Sequence, residues 1–204
     1  MTEMLTVEAA HALVVETLVR CNTAAVNARL VADALVGAEL TGQAGHGLRR
    51  VPSYGAQAAS GKVDGHAVPV AKRSRPGALS IDAANGFAYP AIDLAMTALP
   101  GMAREQGVAV AGVRRSSHAG VTVLFVEELA QQGMVAMMFV NTPAAIAPWG
   151  GSQALYGTFW VAVVGERGSL VGQFEPFEGC RCRVLRRLFR SQRSPCAECG
   201  PPAG

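Results

Sequence analysis

From Val108 to Gly151 the chain spells, in order, an apolar run V-A-V-A-G-V, the turn R-R-S-S-H-A-G, a helical run closed by Gly133, a second apolar run M-V-A-M-M-F-V, and the segments N-T-P and A-P-W-G-G. Short apolar runs separated by a helix-length segment constrain the fold to an α/β layer, because strands covered by crossover helices read as near-continuous apolar stretches. The same order sets a lone histidine (His118), an Asn141-Thr142-Pro143 segment and a Trp149-Gly150-Gly151 turn at three successive strand ends. Strand ends and the loops after them are where α/β proteins build sites.

The chain upstream has a different texture. Thr6 caps a predicted helix whose apolar residues Ala9, Ala10, Leu13, Val14 and Leu18 recur at helical spacing, and Asn22 or Thr23 caps a second one carrying Val26, Leu30, Ala34, Leu35 and Ala38. A third, short helix is predicted to carry Val51, Tyr54 and Ala58, after which S-G-K-V-D-G-H-A-V-P-V is turn chemistry and extended chain. Beyond it, A-L-S-I-D-A reads as a strand, Ala84-Asn85-Gly86 as a turn, and Pro90 as a first-turn residue of a helix to Gln106 that Pro100-Gly101 should bend. F-W-V-A-V-V at 159–164 is a last strand. The expected organisation is a helical subdomain over 1–72, a mixed α/β domain over 73–172 and an aberrant tail over 173–204.

Charge separates that tail from the body. Up to Gly172 there are 12 Lys and Arg against 12 Asp and Glu, so the net +3 lies wholly in the last 32 residues. The basic balance therefore gives no reason to expect a nucleic-acid partner for the body. No run of about 18 apolar residues occurs, and M-T-E-M-L-T-V-E opens without a basic segment before an apolar one, so neither a membrane partner nor a signal peptide is expected and the chain reads as cytoplasmic. Cys180, Cys182, Cys196 and Cys199 crowd the tail. A C-x-C pair followed by C-x-x-C offers thiolates for zinc, but the Arg-rich surroundings lack a knuckle or an apolar period, and no metal site is expected.

No strand is followed by G-x-G-x-x-G, so a Rossmann fingerprint is lacking. His118 has two readings: a loop histidine bonded to its own turn, or an imidazole presented at a strand end for acid–base work. His46 and Arg50 lie four residues apart, on one face if the segment is helical, and suit a 2-oxo acid, whose carboxylate a guanidinium binds in two places. The plain alternative is a surface histidine and a solvated arginine. Around Asn141 and Trp149 the plain reading is a tight loop shaped by Pro and Gly and plugged by Trp149. His11 and His66 are assigned to packing or solvent, and the Arg114-Arg115 pair to solvent.

Taken together, G-H-G-L-R-R-V-P-S-Y at Gly45–Tyr54, S-S-H-A-G around His118, Asn141-Thr142-Pro143 and A-P-W-G-G resemble the malate/L-lactate dehydrogenase family of the second, non-Rossmann type, from about Leu5 to about Val171. Members reduce 2-oxo acids or cyclic imines. The resemblance implies NAD or NADP as cofactor, a small 2-oxo or 2-hydroxy acid as substrate and a homodimer. It also implies His118 as acid–base group, His46 as its catalytic support, Arg50 on the substrate carboxylate, and Ser117, Gly120, Asn141, Thr142 and Pro143 at the cofactor. Two departures stand out: Gly45 replaces the family's serine before the histidine, and Gly157-Thr158 runs into Phe159-Trp160 where the family has Asn-Pro. With the change near residue 172, which reads as a shifted reading frame, they support an alternative: a fold incomplete at its C-terminus, a non-catalytic family remnant able only to pair with an intact homologue.

Overall fold

The computed structural model describes residues 4–141, 144, 147–155 and 162–164. The tail over 173–204, with its four cysteines and the proposed frame change, lies outside the described residues, as do Thr142, Pro143 and Gly157–Trp160.

Helix α1 spans Val7–Arg20 and starts as the sequence predicts, with the Thr6 hydroxyl accepting the Ala9 N–H at 3.1 Å. It buries Ala10, Val14 and Leu18. Helix α2 spans Ala25–Leu40, and its predicted cap fails: neither Asn22 nor Thr23 caps it. Asn22 turns into the left-handed region at φ 63°, Thr23 is buried, and Ala24 N–H donates to Gly65 O at 3.0 Å. The helix start is thus satisfied by a loop 40 residues downstream, which Asn27 also grips by donating to Gly65 O and Ala67 O. The predicted face of α2 holds at Leu30, Ala34, Leu35 and Ala38 but not at Val26, and the buried stripe is wider than predicted. Val26 is 58% exposed, whereas Ala28, Val31, Ala32, Leu35, Val36 and Ala38 are buried, because α2 packs on α1 on one side and on later helices on the other.

A single 3₁₀ turn, Leu48–Arg50, leads into α3, Val51–Ala59, which buries Tyr54 and Ala58 as expected. Strands β1 (Val70–Arg75) and β2 (Ala78–Asp82) form an antiparallel hairpin, α4 covers Ala88–Gln106, and β3 (Val110–Arg114) returns parallel to β2, pairing Ala78 with Val110 through Asp82 with Arg114. Helix α4 stays helical through Pro100 and Gly101, the point where the sequence predicts a bend, and ends at left-handed Gly107. Its Ala91, Ala95 and Met102 pack on Leu79 and Ile81.

The sheet departs from expectation in two ways. Val110 on β3 is 61% exposed, because among the described residues only α4 packs on the sheet, and β1, a strand the sequence pattern does not announce, is polar and exposed throughout. Nor is there one layer. Helix α5 (Thr122–Gln131) packs Val126 and Leu129 on Ala136 of β4 (Ala136–Met138), which pairs antiparallel with β5 (Ala162–Val164) as a separate two-stranded sheet.

One turn ties these parts together. Ala84 and Asn85 both take positive φ (51° and 61°), and around them Asp64 N–H donates to Asn85 O, Asn85 N–H to Arg115 O and Ser117 N–H to Gly86 O. Gly86 is required there. A Cβ would lie 2.6 Å from Ala67 Cβ and 3.0 Å from Ala83 O, so three segments meet only across a residue without a side chain. Phe87 and Tyr89, just beyond, join Leu18, Leu35 and Tyr54 in the helical core, which docks the start of α4 against α3. That docking places the segment after β3 over Tyr54.

Candidate active site

The segment from Arg114 to Gly120 is anchored at its start by Asp82. The Asp82 carboxylate takes a two-point contact from Arg115, Nε and Nη2 each at 2.8 Å, a third from Arg114 at 2.7 Å, and the Ala84 N–H at 2.9 Å. The Arg115 hydrogen bond, then the Ala84 N–H, hold Asp82 below the usual carboxylate range. The two arginines read as solvated are therefore both engaged on Asp82, though still exposed, and the backbone between them and His118 is fixed.

His118 bonds within its own turn, as the plainer reading expects, and also beyond it. Its Nδ1 accepts from the N–H of Gly120 in its own turn at 3.3 Å, and it also lies 2.8 Å from the Tyr54 hydroxyl on α3. A backbone N–H pointing at Nδ1 makes that nitrogen an acceptor, so the neutral ring carries its proton on Nε2. The ring stacks on His46 with centroids 5.3 Å apart and planes 7° from parallel. Residues distant in sequence, His46 and His118, are thus brought together.

Arg50 shares the site, half-buried, with Nε donating to Gly45 O at 2.7 Å. Its turn is held from behind by Glu39, whose carboxylate accepts the Leu48 N–H at 3.0 Å. Electrostatics follow from this crowding. His46 lies below the ordinary histidine value, first through burial and then through the Arg50 charge. His118 is lowered further, to about 4, by burial first, then by His46 and Arg50. The lowered values keep both rings neutral at pH 7, beside the Arg50 guanidinium.

Two functional candidates escaped the sequence reading. Tyr54 was placed in the helical core only as packing, and Tyr89 was not singled out. Both are 3% exposed, and their hydroxyls lie 3.0 Å apart, so the polar ends of two core residues reach into the site. The available signal was chemical: a buried tyrosine needs a partner for its O–H, and Tyr54 follows Arg50 by one helical turn. Burial raises both phenols above their ordinary range, Tyr89 the more strongly.

The other expected site residues divide. Ser117 and Gly120 flank His118; Ser117 Oγ is buried with no hydrogen-bond partner among the described residues. Asn141 is exposed beyond β4, and the contacts that gather His46, Tyr54, Tyr89, His118 and Gly120 do not include it. Trp149 does not plug its loop. It is 91% exposed at a turn closed by the Gly151 N–H on Pro148 O at 2.8 Å, with Gly150 at φ 75° supplying the bend. His11 pairs across two helices with Asp33 at 2.9 Å rather than simply packing, and His66 is exposed. Among the described residues no group of three His, Cys, Asp or Glu side chains is placed to hold a metal, and no helix is long and apolar enough to cross a membrane.

Comparison with known proteins gives this arrangement its context. The chain is 42% identical over 161 residues to the (2R)-3-sulfolactate dehydrogenase (NADP(+)) of Chromohalobacter salexigens, an alignment that covers 78% of this chain and 47% of that protein. Its structure is similar to that of Δ1-piperideine-2-carboxylate reductase from Pseudomonas syringae, with a TM-score of 0.77 and 34% identity over 82% of this chain and 51% of the other. It is also similar to malate dehydrogenase from Pyrococcus horikoshii, with a TM-score of 0.74 and 26% identity over 80% and 47% of the two chains. The chain spans about half the length of the curated relatives it matches. The sequence model described as malate/L-lactate dehydrogenase matches residues 5–165, which takes in both stacked histidines, Arg50 and both tyrosines, and the chain belongs to that family.

Proposed function

We propose that this chain contributes the acid–base and carboxylate-binding half of an NAD(P)-dependent oxidoreductase that interconverts a small 2-oxo and 2-hydroxy acid. The observation that carries this reading is the stacked, neutral pair His46–His118 beside Arg50. The relatives' names point to sulfolactate, cyclic-imine carboxylates and malate. These share a carboxylate attached to the carbon that is oxidised or reduced. Arg50 is suited to that carboxylate, and the Nε2 edge of His118 to the adjacent oxygen or nitrogen.

When bound, a nicotinamide supplies or removes the hydride. The residues described fit its nicotinamide end, through the unpartnered hydroxyl of Ser117 next to His118. Arg114 and Arg115, both held on Asp82, are not assigned to its phosphates. For the chain's own part, Arg50 neutralises and orients the acid, and His118 moves the proton at Nε2. Because Arg50 is one cause of the low His118 pKa, a substrate carboxylate seated on it offsets that effect and makes His118 easier to protonate where an acid is needed. His46, stacked on one face of the ring, restrains its turning.

The test is a fluorescence titration of the purified protein with NADH and with NADPH, using His118→Ala as control. Saturable binding supports the reading, and a screen of 2-oxo acids follows. No binding by folded protein would instead support the remnant reading, which Gly45 favours.

Gly45 allows a sharper test. A Cβ there meets no atom within 4 Å, and its φ is not positive, so Gly45→Ser is accommodated without strain. The variant is expected to gain about 0.4–1 kcal/mol from a less flexible unfolded chain. If the serine hydroxyl bonds into the site, kcat/KM for the 2-oxo acid should rise about fivefold, the equivalent of one hydrogen bond near 1 kcal/mol. A stability gain with unchanged kcat/KM would show that the hydroxyl serves no purpose in this chain.

A further inference from the structure

The backbone just before His118 is in a conformation its residue does not favour. Arg115 has φ 54°, in the left-handed region, and among the described residues the other non-glycine positions there are Asn22, Ala84 and Asn85. Asparagine enters that region readily, whereas other side chains are opposed by their own Cβ and stay only where the surroundings hold them. What holds Arg115 is Asp82, whose carboxylate takes Nε and Nη2 of that arginine together. The same carboxylate accepts the Ala84 N–H. Ala84 opens the turn in which Asn85 N–H donates to Arg115 O and Gly86 O accepts the Ser117 N–H. The contacts that fix residues 115–117 therefore meet at one side chain, which is only 17% exposed.

Resting on the acid–base role given to His118 above, we propose that Asp82 is a positioning residue for that imidazole: by holding Arg115 in its left-handed conformation, it aims the next three residues so that His118 lies against Tyr54 and His46. Without this latch Arg115 relaxes to an ordinary backbone conformation, and a share of the rings leaves the site for solvent. A small share is enough to be seen. The placed ring is lowered to about 4 by burial, then by His46 and Arg50, whereas a released ring returns towards 6.5. Because proton affinities average over populations, roughly three released rings in a hundred bring the apparent pKa to about 5, and roughly ten in a hundred to about 5.5. Asp82 itself stays ionised down to about pH 4.5, since the Arg115 hydrogen bond, then the Ala84 N–H, hold it below the usual carboxylate range.

The experiment is a histidine-ring ¹H–¹⁵N titration of the whole chain without cofactor, from about pH 8 to about pH 4.5, for wild type, Asp82→Asn, Arg115→Ala and Arg115→Asn. The four histidines are assigned with His118→Asn, and folding is checked by far-UV circular dichroism. In wild type His118 should stay mostly neutral throughout, reaching about a quarter protonated at the acid end. In Asp82→Asn its apparent pKa should rise to between about 5 and 5.5, a midpoint inside the range. The two Arg115 variants remove the same guanidinium and should nevertheless differ. Alanine, disfavoured at φ 54°, should titrate like Asp82→Asn; asparagine, which adopts the left-handed region by itself, should titrate like wild type. The rings of His11, paired with Asp33, and of exposed His66 should not respond, which separates release of His118 from a general loosening of the fold. A wild-type His118 titration in folded Asp82→Asn, or one titration common to both Arg115 variants, would overturn the proposal. The readout needs neither cofactor nor turnover. A raised pKa in Asp82→Asn, in protein that reduces no 2-oxo acid, would retire the acid–base role and keep the positioning; turnover with an unmoved pKa would do the reverse.

Discussion

His118→Asn is expected to reduce turnover of the preferred 2-oxo acid by about 10²–10⁴-fold, the usual contribution of a positioned acid–base group. The loss should fall on kcat, because the carboxylate contact belongs to Arg50 and is made in ground and transition states alike. The pH profile gives an independent check. A free-enzyme pKa lowered to about 4 leaves His118 almost wholly neutral at pH 7. Reduction, which consumes a proton, should therefore accelerate as pH falls towards that value, while oxidation, which needs a base, should be flat from neutrality down to about pH 5. Both dependences should vanish in His118→Asn. Stability carries the same signature. A histidine whose folded pKa lies below its unfolded value of 6.5 favours the native state above pH 6.5, and that contribution is lost as pH falls through 6.5 towards 4. The variant's thermal midpoint should vary less with pH across that window. A variant retaining wild-type kcat and the same pH limbs would remove His118 from the chemistry.

The elements that positional pattern could reveal were those decided locally. Thr6 caps α1, the 84–86 turn follows from Asn-Gly, and Gly107 and Gly133 end helices, because each depends on neighbours within four residues. The start of α2 departs from the expected cap because the Ala24 N–H and the Asn27 side-chain amide reach Gly65 O and Ala67 O, contacts set by tertiary packing that no cap residue announces. Its buried face exceeds the expected one for a related reason: a helix with partners on two sides buries a wider stripe than a single amphipathic period predicts. The sheet was over-read. Apolar strands imply cover, yet Val110 is exposed among the described residues, and β1, V-A-K-R-S-R, escapes the pattern altogether because it is polar and exposed throughout.

For the site, His46, Arg50 and His118 were legible as motif residues, but their convergence was not, because it depends on docking the α4 start onto α3. Tyr54 and Tyr89 were hidden by their own burial. Their rings match the helical core pattern, and only the hydroxyls reach His118 and each other. Trp149 errs in the opposite direction: a bulky aromatic in a Pro-Gly loop suggests a plug, but the turn geometry turns it outward.

Gly120→Ala tests that hidden layer with the largest structural effect. Gly120 sits at φ 66°, where an alanine costs roughly 1–2 kcal/mol. Its Cβ would also run into the Tyr89 hydroxyl, with Cε1 and Cζ of the same ring at 3.3 Å. Tyr89 is wedged between Tyr54 and Phe125 and cannot swing clear without disturbing the core. Overpacking of this kind adds about 1–3 kcal/mol, so the total loss should be roughly 2–5 kcal/mol, or a fall of about 4–20 °C in Tm for a chain of this size. The two causes separate in a double-mutant cycle. In Tyr89→Phe the obstructing oxygen is gone, and Gly120→Ala should then cost little more than its backbone share. An equal cost in both backgrounds would place the strain in the backbone alone and would mean that Tyr89 does not press on the turn that aims the Gly120 N–H at His118.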